Sequence, residues 1–190
     1  MNEKGNVHML EIRIHGYGGQ GTVTIAHLLA QAALDDGKQS QALPSFGVER
    51  RGAPVKASVR ISTSPIMVFS QIVTPDVLVC MDEKLVDIGL AEGSNEDCII
   101  LVNSAEENGT ELKEINVDAA IIANEEGLVA GDQPMLNIPM LGALAAIADI
   151  SLDVLEQVLR NKWSGDAAER NVNAARRGFE SVAIQKEVIS

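Results

Sequence analysis

A glycine-rich stretch near the N-terminus has the residue types and the spacing to bind an anion. Gly16, Gly18, Gly19 and Gly21 follow an apolar alternation typical of a strand, and helical spacing of apolar residues begins directly after them. Glycine lets the backbone approach a ligand closely, and the free N–H groups and dipole of a helix N-terminus attract negative charge. The stretch therefore predicts a phosphate-binding turn; the alternative is a tight strand-to-helix connection without a ligand.

Residues 16–21 also match G-x-G-x-x-G, the fingerprint of dinucleotide-binding domains. In those domains an acidic residue at the end of the second strand holds the ribose. Here the second strand is predicted over residues 39–43, and residues 43–46 contain no acid. We therefore expect no tight binding of a nicotinamide dinucleotide.

A second candidate region is the loop over residues 45–55, which carries Glu49, Arg50 and Arg51. The bases continue at Lys56 and Arg60, on the polar face of a predicted strand, and no acid lies between Arg50 and Arg60. A guanidinium group suits the oxygens of phosphates and carboxylates, so this region is predicted to meet a phosphate or a partner's carboxylates. The alternative is a solvated charged surface.

The other residues that could do chemistry form no catalytic or metal-binding set. His15 directly precedes the glycine turn, and a lone histidine there is more often a hydrogen-bonded structural residue than a catalyst. Cys80 and Cys98 lie in apolar, strand-like runs, which predicts buried free thiols, and two thiols do not complete the ligand set of an iron–sulfur cluster. From the residues alone, we expect an anion-binding domain that has no catalytic residues of its own.

Composition narrows the class of protein further. The 190 residues are 46% hydrophobic but only 3% aromatic, so the core is predicted to be aliphatic, as in sheets covered by helices on both faces. A net charge of −12 argues against a nucleic-acid partner. No apolar run reaches the length of a membrane span and no signal peptide is recognisable, so we expect no membrane partner and a cytoplasmic location.

Strand and helix patterns alternate along the whole chain. They predict one domain over residues 1–190: a three-layer α/β/α fold whose sheet is Rossmann-like and mostly parallel, with antiparallel edge strands. Two local predictions concern a short strand over Ile66–Phe69 and a helix that begins at Asp118 and continues to about residue 130.

Five segments carry a resemblance to a known family. They are HGYGGQGTV (15–23), SFGVERRGAPV (45–55), PDVLVCMD (75–82), NIPMLGA (137–143) and NVNAARRGFE (171–180). In this order they resemble the gamma subunit of 2-oxoacid:ferredoxin oxidoreductases, the pyruvate and 2-ketoisovalerate ferredoxin oxidoreductase gamma family. The resemblance spans most of residues 10–180, although residues 92–134 match the pattern poorly.

The resemblance implies an oxidoreductase subunit that is not catalytic alone. The family's enzymes contain alpha, beta and delta subunits as well; they oxidatively decarboxylate a 2-oxoacid to an acyl-CoA and pass the electrons to ferredoxin. Thiamine diphosphate then lies between the alpha and beta subunits, the [4Fe-4S] clusters lie in the beta and delta subunits, and this chain alone holds no cofactor tightly. The gamma chain is implied to cover the active site and to help bind coenzyme A. The corresponding binding residues here are Gly16, Gly18, Gly19, Gln20, Gly21, Glu49, Arg50 and Arg51.

The loop sequence FGVERRGAP is similar to that of the pyruvate and branched-chain 2-oxoacid enzymes. Pyruvate is therefore the expected substrate of the assembled enzyme, and 2-ketoisovalerate or an aryl-glyoxylate is the alternative. A free-standing dinucleotide-binding regulatory domain is the alternative of another class.

Overall fold

The fold is organised on one six-stranded sheet. The structure, a computed structural model, describes residues 9–44, 52–106 and 109–189, so Glu49, Arg50 and Arg51 lie outside the described residues. The strands lie in the order β2-β3-β1-β4-β5-β6. Their bounds are β1 Met9–Tyr17, β2 Gln39–Pro44, β3 Pro54–Ser62, β4 Val77–Cys80, β5 Ile99–Asn103 and β6 Lys113–Val117.

The sheet is parallel on one side of β1 and antiparallel on the other. Strands β1, β4, β5 and β6 pair in parallel, whereas β3 pairs antiparallel with both β1 and β2. The predicted fold class is confirmed. Because β3 lies between β1 and β2, the end of the second strand does not adjoin the glycine turn as it does in a dinucleotide-binding domain.

Helices cover the two faces of the sheet unequally. The helices are α1 Thr22–Asp35, α2 Val86–Ala91, α3 Ala119–Glu125, α4 Asn137–Ile147, α5 Leu152–Lys162 and α6 Gly165–Ile189. One face, including Ile12, Val79 and Leu101, packs in the main core with α1 and α4. The alternate residues Leu78 and Ile100 pack instead beside the start of α2 and the short 3-10 helix Glu83–Leu85. None of the helices in the described ranges is long and apolar enough to cross a membrane.

Two local predictions were wrong in informative ways. Ile66–Phe69 is not a strand; carbonyl groups of this stretch and of the residue after it accept hydrogen bonds from an arginine side chain rather than from a neighbouring strand. Asp118 does cap α3, since its Oδ1 accepts from the N–H of Ile121 at 2.9 Å, but the helix ends at Glu125 instead of near residue 130. Gly127, with φ of 67°, turns the chain into a short hairpin, β7 Val129–Ala130 and β8 Gln133–Pro134.

Helices α4 and α6 pack through their backbones at two glycines. A Cβ on Gly142 would lie 1.9 Å from the carbonyl oxygen of Ala175, and one on Gly178 would lie 2.0 Å from that of Pro139. Because both neighbours are main-chain atoms, no side-chain rotation relieves such an overlap. The two glycines therefore set the separation of α4 and α6.

We predict that Gly142→Ala destabilises the fold although alanine has the higher helix propensity. The propensity gain is about 1 kcal/mol, whereas displacing α4 from α6 should lower the free energy of unfolding by about 3 kcal/mol. Urea denaturation of the isolated chain measures the change. The matched control is Asn173→Ala, at an exposed position of α6, which should shift stability by no more than about 0.5 kcal/mol. Equal stability of Gly142→Ala and the wild type would contradict this account of the packing.

Candidate site at the glycine turn

The glycine turn is held by hydrogen bonds within residues 17–20. The N–H of Gln20 donates to the carbonyl of Tyr17 at 3.0 Å, and the side-chain Oε1 of Gln20 accepts from the N–H of Tyr17 at 2.7 Å. Positive φ angles, 101° and 79°, occur at Gly19 and Gly21. Gln20 thus shapes the turn, and its side-chain oxygen is already engaged.

Two other glycine contacts bring a second helix to the turn. A Cβ on Gly16 would lie 2.1 Å from Oγ1 of Thr22, so the missing side chain lets α1 begin directly against β1. A Cβ on Gly21 would lie 2.9 Å from both Cβ and Nδ2 of Asn137, the first residue of α4. The N-termini of α1 and α4 therefore meet at the end of β1.

A cavity of about 480 Å³ lies between these two helix starts, lined by Gly18–Gly21 on one side and by Gln133–Asn137 on the other. The first intrahelical hydrogen bonds run from Ile25 to Gly21 in α1 and from Met140 to Leu136 in α4, so the preceding N–H groups of each helix have no intrahelical acceptor. A smaller cavity of about 250 Å³ adjoins the turn and includes Thr22 in its lining. The arrangement suits an anion with several oxygens.

One buried atom at this site has no partner. Thr22 is 3% exposed, and its Oγ1 makes no hydrogen bond within the part of the chain that the structure describes. A buried hydroxyl without a partner is costly, and a bound anion or water is one way in which such a group is satisfied. The glycine side of this cavity was predicted from the sequence, whereas the wall over residues 130–137 was not. The one sequence signal near that wall was the family segment that begins at Asn137.

The segment that follows the arginine pair also reaches the glycine turn. The N–H of Gly18 donates to the carbonyl of Ala53 at 2.9 Å, and the N–H of Gly52 donates to the carbonyl of Gly18 at 3.3 Å. Gly52 is covalently joined to Arg51, which lies outside the described residues together with Glu49 and Arg50. The turn and the end of the 45–55 loop are therefore neighbours.

Lys56 and Arg60 do not extend the basic region as the sequence predicted. Lys56 Nζ lies 2.9 Å from Oε2 of Glu92, and Arg60, only 1% exposed, donates from Nε to Oε1 of Glu11 at 2.7 Å. The prediction that Arg60 is solvated or meets a ligand is wrong. Its face of β3 is covered by the segment after the strand, and burial of a cation in the sheet requires an internal partner.

The two cysteines are buried free thiols, as predicted. Burial raises the pKa of Cys80 to about 12, and burial likewise raises the pKa of Cys98. Both thiols are therefore neutral at physiological pH. Across residues 9–44, 52–106 and 109–189, no three histidine, cysteine, aspartate or glutamate side chains come together in a group that could hold a metal.

Comparison with known proteins identifies the family. Residues 11–181 match the family described as pyruvate ferredoxin/flavodoxin oxidoreductase. This chain belongs to that family. It is 43% identical over 177 residues to pyruvate synthase subunit PorC of Methanothermobacter thermautotrophicus, covering 92% of this chain and 96% of the relative. It is 42% identical over 187 residues to the common gamma subunit of the pyruvate/ketoisovalerate oxidoreductases of Pyrococcus abyssi, covering 93% and 98%.

A solved structure agrees with both relatives. The crystal structure of pyruvate oxidoreductase subunit PORC from Thermotoga maritima superposes with a TM-score of 0.78 at 35% identity, over 90% of this chain and 96% of that one. The resemblance to the gamma subunits expected from the sequence is therefore confirmed.

The five family segments contact one another in the fold. The glycine turn bonds to Gly52 and Ala53, touches Asn137 through Gly21, and follows a strand whose His15 carbonyl accepts from the N–H of Met81 at 2.9 Å. The fifth segment, 171–180, meets segment 137–143 where α4 packs against α6. The five family segments, separate in the sequence, are thus joined by one connected set of contacts that begins at the end of β1.

His15 is a buried, hydrogen-bonded residue of β1. It is 3% exposed, and its Nε2 accepts a hydrogen bond from Nε of Arg13 at 3.1 Å. Burial lowers the pKa of His15 to about 4; the Glu92 carboxylate opposes this, and the charges of Arg13 and Lys56 add to it. The imidazole is therefore neutral at physiological pH, with its proton on Nδ1.

The pKa of the Glu92 carboxylate is shifted by the same neighbouring groups. Burial acts against ionisation of Glu92, but the hydrogen bond from Lys56, the charge that His15 carries when it is protonated, and the charges of Lys56 and Arg13 outweigh it and lower the pKa of Glu92. Glu92 thus stays ionised beside Lys56.

We predict that His15 makes stability fall as the pH is lowered from about 6.5 to about 4. In this range the unfolded chain protonates the histidine and the folded chain does not, so the unfolded state binds more protons and the loss reaches about 3 kcal/mol. Denaturant unfolding at several pH values should show a flatter profile for His15→Gln, whose amide oxygen can still accept from Arg13. The exposed His27, changed to glutamine, is the control for the loss of a histidine at the surface. Parallel profiles for His15→Gln and the wild type would contradict this.

Proposed function

We propose that this chain is the gamma subunit of a thiamine-diphosphate-dependent 2-oxoacid:ferredoxin oxidoreductase, with pyruvate as the substrate of the assembled enzyme. The observation that carries the proposal is the similarity, over more than nine-tenths of both chains, to a pyruvate synthase subunit and to a common gamma subunit. The common gamma subunit is named for both pyruvate and ketoisovalerate oxidoreductases, so 2-ketoisovalerate is the alternative substrate. Residues 1–190 form a single gamma-type domain in this proposal, with alpha, beta and delta subunits as its partners.

The proposed reaction divides between subunits. Thiamine diphosphate supplies the decarboxylation chemistry and the [4Fe-4S] clusters carry electrons to ferredoxin, all in other chains. This chain covers the active site and binds coenzyme A. Its own described residues offer an anion cavity at the glycine turn and contain no three-residue group for a metal, which fits a binding role.

The cavity at the glycine turn is proposed to bind the phosphate groups of coenzyme A. Three observations support this proposal. Two helix N-termini meet at the cavity, and its wall at Gly19 is open, since a Cβ on that residue would have no atom within 4 Å. Thr22 Oγ1, next to the turn, has no partner among the described atoms. In this proposal Gly16, Gly18 and Gly21 permit the close approach of the phosphate groups to the backbone, and Gln20 holds the turn in shape.

The residues Glu49, Arg50 and Arg51 belong to the same proposed site. They precede Gly52, which is hydrogen-bonded to Gly18. An arginine pair beside a phosphate cavity would supply the positive charge that an otherwise acidic chain lacks, because guanidinium groups form short, charge-assisted bonds to phosphate oxygens.

The subunit role is tested by assembly. We expect the purified chain alone to oxidise no 2-oxoacid and to show no cluster absorbance, and we expect the chain co-expressed anaerobically with the other subunits of its enzyme to copurify with them. The complex should reduce ferredoxin with pyruvate faster than with 2-ketoisovalerate or an aryl-glyoxylate. Turnover of pyruvate by the single chain would overturn the subunit assignment, and faster turnover of another 2-oxoacid would change the substrate.

The ligand assignment is tested at Gly19 with a matched glycine. Gly19→Ala places a methyl group in the cavity, so the KM for coenzyme A of the assembled complex should rise about tenfold. Gly37→Ala is the control, since Gly37 also has positive φ and open space around it but lies past the opposite end of α1. Exchange of the substrate carboxyl group with labelled carbon dioxide reports decarboxylation separately and should survive in both variants. Equal KM values for the two variants would refute coenzyme A binding at the turn.

The arginine pair is tested in the same assay. Arg50→Ala combined with Arg51→Ala should raise the KM for coenzyme A by about ten- to a hundredfold. Removing two positive charges elsewhere, with Lys113→Ala and Arg170→Ala at exposed positions, is the charge-matched control. Should the arginine variant dissociate on gel filtration before any effect on coenzyme A appears, the pair contacts a neighbouring subunit and the ligand assignment is wrong.

A further inference from the structure

The segment over residues 66–73, IMVFSQIV, displays its apolar side chains to solvent. Met67 is 79% exposed, Phe69 76%, Val73 63% and Val68 41%. Only Ile72 of this segment is buried, at 5%. An apolar segment that packs on a sheet ordinarily turns such side chains inward, so this arrangement requires a cause.

The cause is that two buried arginines hold the backbone of the segment. Arg60 donates from its terminal nitrogens to the carbonyls of Ser70, at 2.8 Å, and Val68, at 3.4 Å. Arg13, 4% exposed, donates to the carbonyl of Val73 at 2.8 Å. The carbonyl groups therefore face the sheet, and the apolar side chains are left on the outside.

Arg13 also binds α2 and the turn that follows it. Its other terminal nitrogen donates to the carbonyls of Gly89, at 2.7 Å, and Gly93, at 2.8 Å, which belong to α2 and the turn after it. Desolvated guanidinium groups keep such acceptors tightly because leaving a buried cation without them is strongly unfavourable. The 66–73 segment is thus held in place before any partner binds.

A cavity of about 510 Å³ adjoins the exposed side chains. Phe69–Val73 form one wall and Leu43 and Ser58 contribute to the others, with Arg13, Lys56 and Glu92 completing the lining. A projecting aromatic residue next to a cavity is the arrangement in which interface hot spots are found, since each partner can insert a side chain into the other.

The charge distribution indicates what covers this surface. No charged residue occurs between Ser62 and Asp76, although 22% of the chain is charged and its net charge is −12. The 66–73 segment itself therefore favours an apolar, uncharged partner surface, and the charged groups Lys56 and Glu92 of the cavity lining pair with each other. A second copy of this chain would add another net charge of −12, which disfavours self-association, so a different polypeptide fits better.

The four exposed side chains supply part of the area that an interface needs. The four side chains together expose on the order of 400 Å², about half of what one partner contributes to a standard interface. We propose that the 66–73 segment and its adjoining cavity are the surface on which this chain docks another polypeptide subunit of the same enzyme. This proposal rests on the subunit role proposed above.

The test compares two pairs of exposed apolar residues. Met67→Ser with Phe69→Ser alters the proposed surface, and Leu34→Ser with Ile121→Ser, 48% and 53% exposed in the wild type, alters helices elsewhere. Circular dichroism and the urea midpoint of each isolated chain should match the wild type, because these side chains are outside the core. In co-expression with the other subunits, the first variant should associate at least about a hundredfold more weakly by gel filtration and equilibrium binding, and the control should associate normally.

Three other outcomes of this experiment would each contradict either the docking surface, the identity of the docked partner or the subunit role. Normal assembly of the Met67/Phe69 variant would overturn the docking surface while leaving the subunit role intact. A wild-type chain that forms homodimers, which the Met67/Phe69 substitutions abolish, would assign the surface to a second copy and overturn the proposed partner. A wild-type chain that remains separate from the other subunits would overturn the proposed function and this proposal with it.

Discussion

The position of helix α4 is the constraint on which the candidate site depends. Every residue from Asn137 to Ala145 is buried, and the helix rests on α6 through glycines that admit no side chain. Its N-terminus is brought against Gly21 by the same close approach. Because backbone atoms lie where a Cβ would be, at Gly142 and Gly178, no other residue type reproduces this geometry without moving α4. The cavity at the glycine turn is therefore a consequence of how α4 and α6 pack at a distance from the turn.

On the opposite face of the sheet, the part formed by β1 and β3 depends on buried charge, whereas β4 and β5 carry an apolar cluster. Arg13 and Arg60 lie on adjacent strands, β1 and β3, and hold backbone carbonyls of the 66–73 segment. Neutral His15 serves the same cluster by accepting from Arg13. This arrangement forgoes the hydrophobic contribution that Met67 and Phe69 would make if they were buried. The proposed docking of another subunit on this segment would supply the contacts that Met67 and Phe69 lack within this chain.

Local sequence patterns predicted a large part of the fold. They failed where backbone carbonyls accept hydrogen bonds from side chains instead of from a neighbouring strand. The apolar alternation before Gly16, the helix after Gly21 and the uninterrupted apolar run that forms β4 are all where periodicity placed them. The prediction of a strand over Ile66–Phe69 failed because an apolar run does not reveal whether its carbonyls bond to a strand or to arginine side chains. Arg60 was misjudged for the same reason, since alternation distinguishes the two faces of β3 but does not tell what covers each.

By itself the sequence determined the strand–glycine–helix unit, the α/β class and the family segments, because these are set by residue type and by short-range spacing. The tertiary structure alone decided that Gly18 bonds to Gly52 and Ala53, that Asn137 meets Gly21, and that Thr22 Oγ1 is left without a partner within the described part of the chain. These contacts join residues far apart in the chain, and their geometry follows from the order of the strands and the packing distance of the helices. Neither quantity appears in any local pattern, since both arise only when the whole core is assembled.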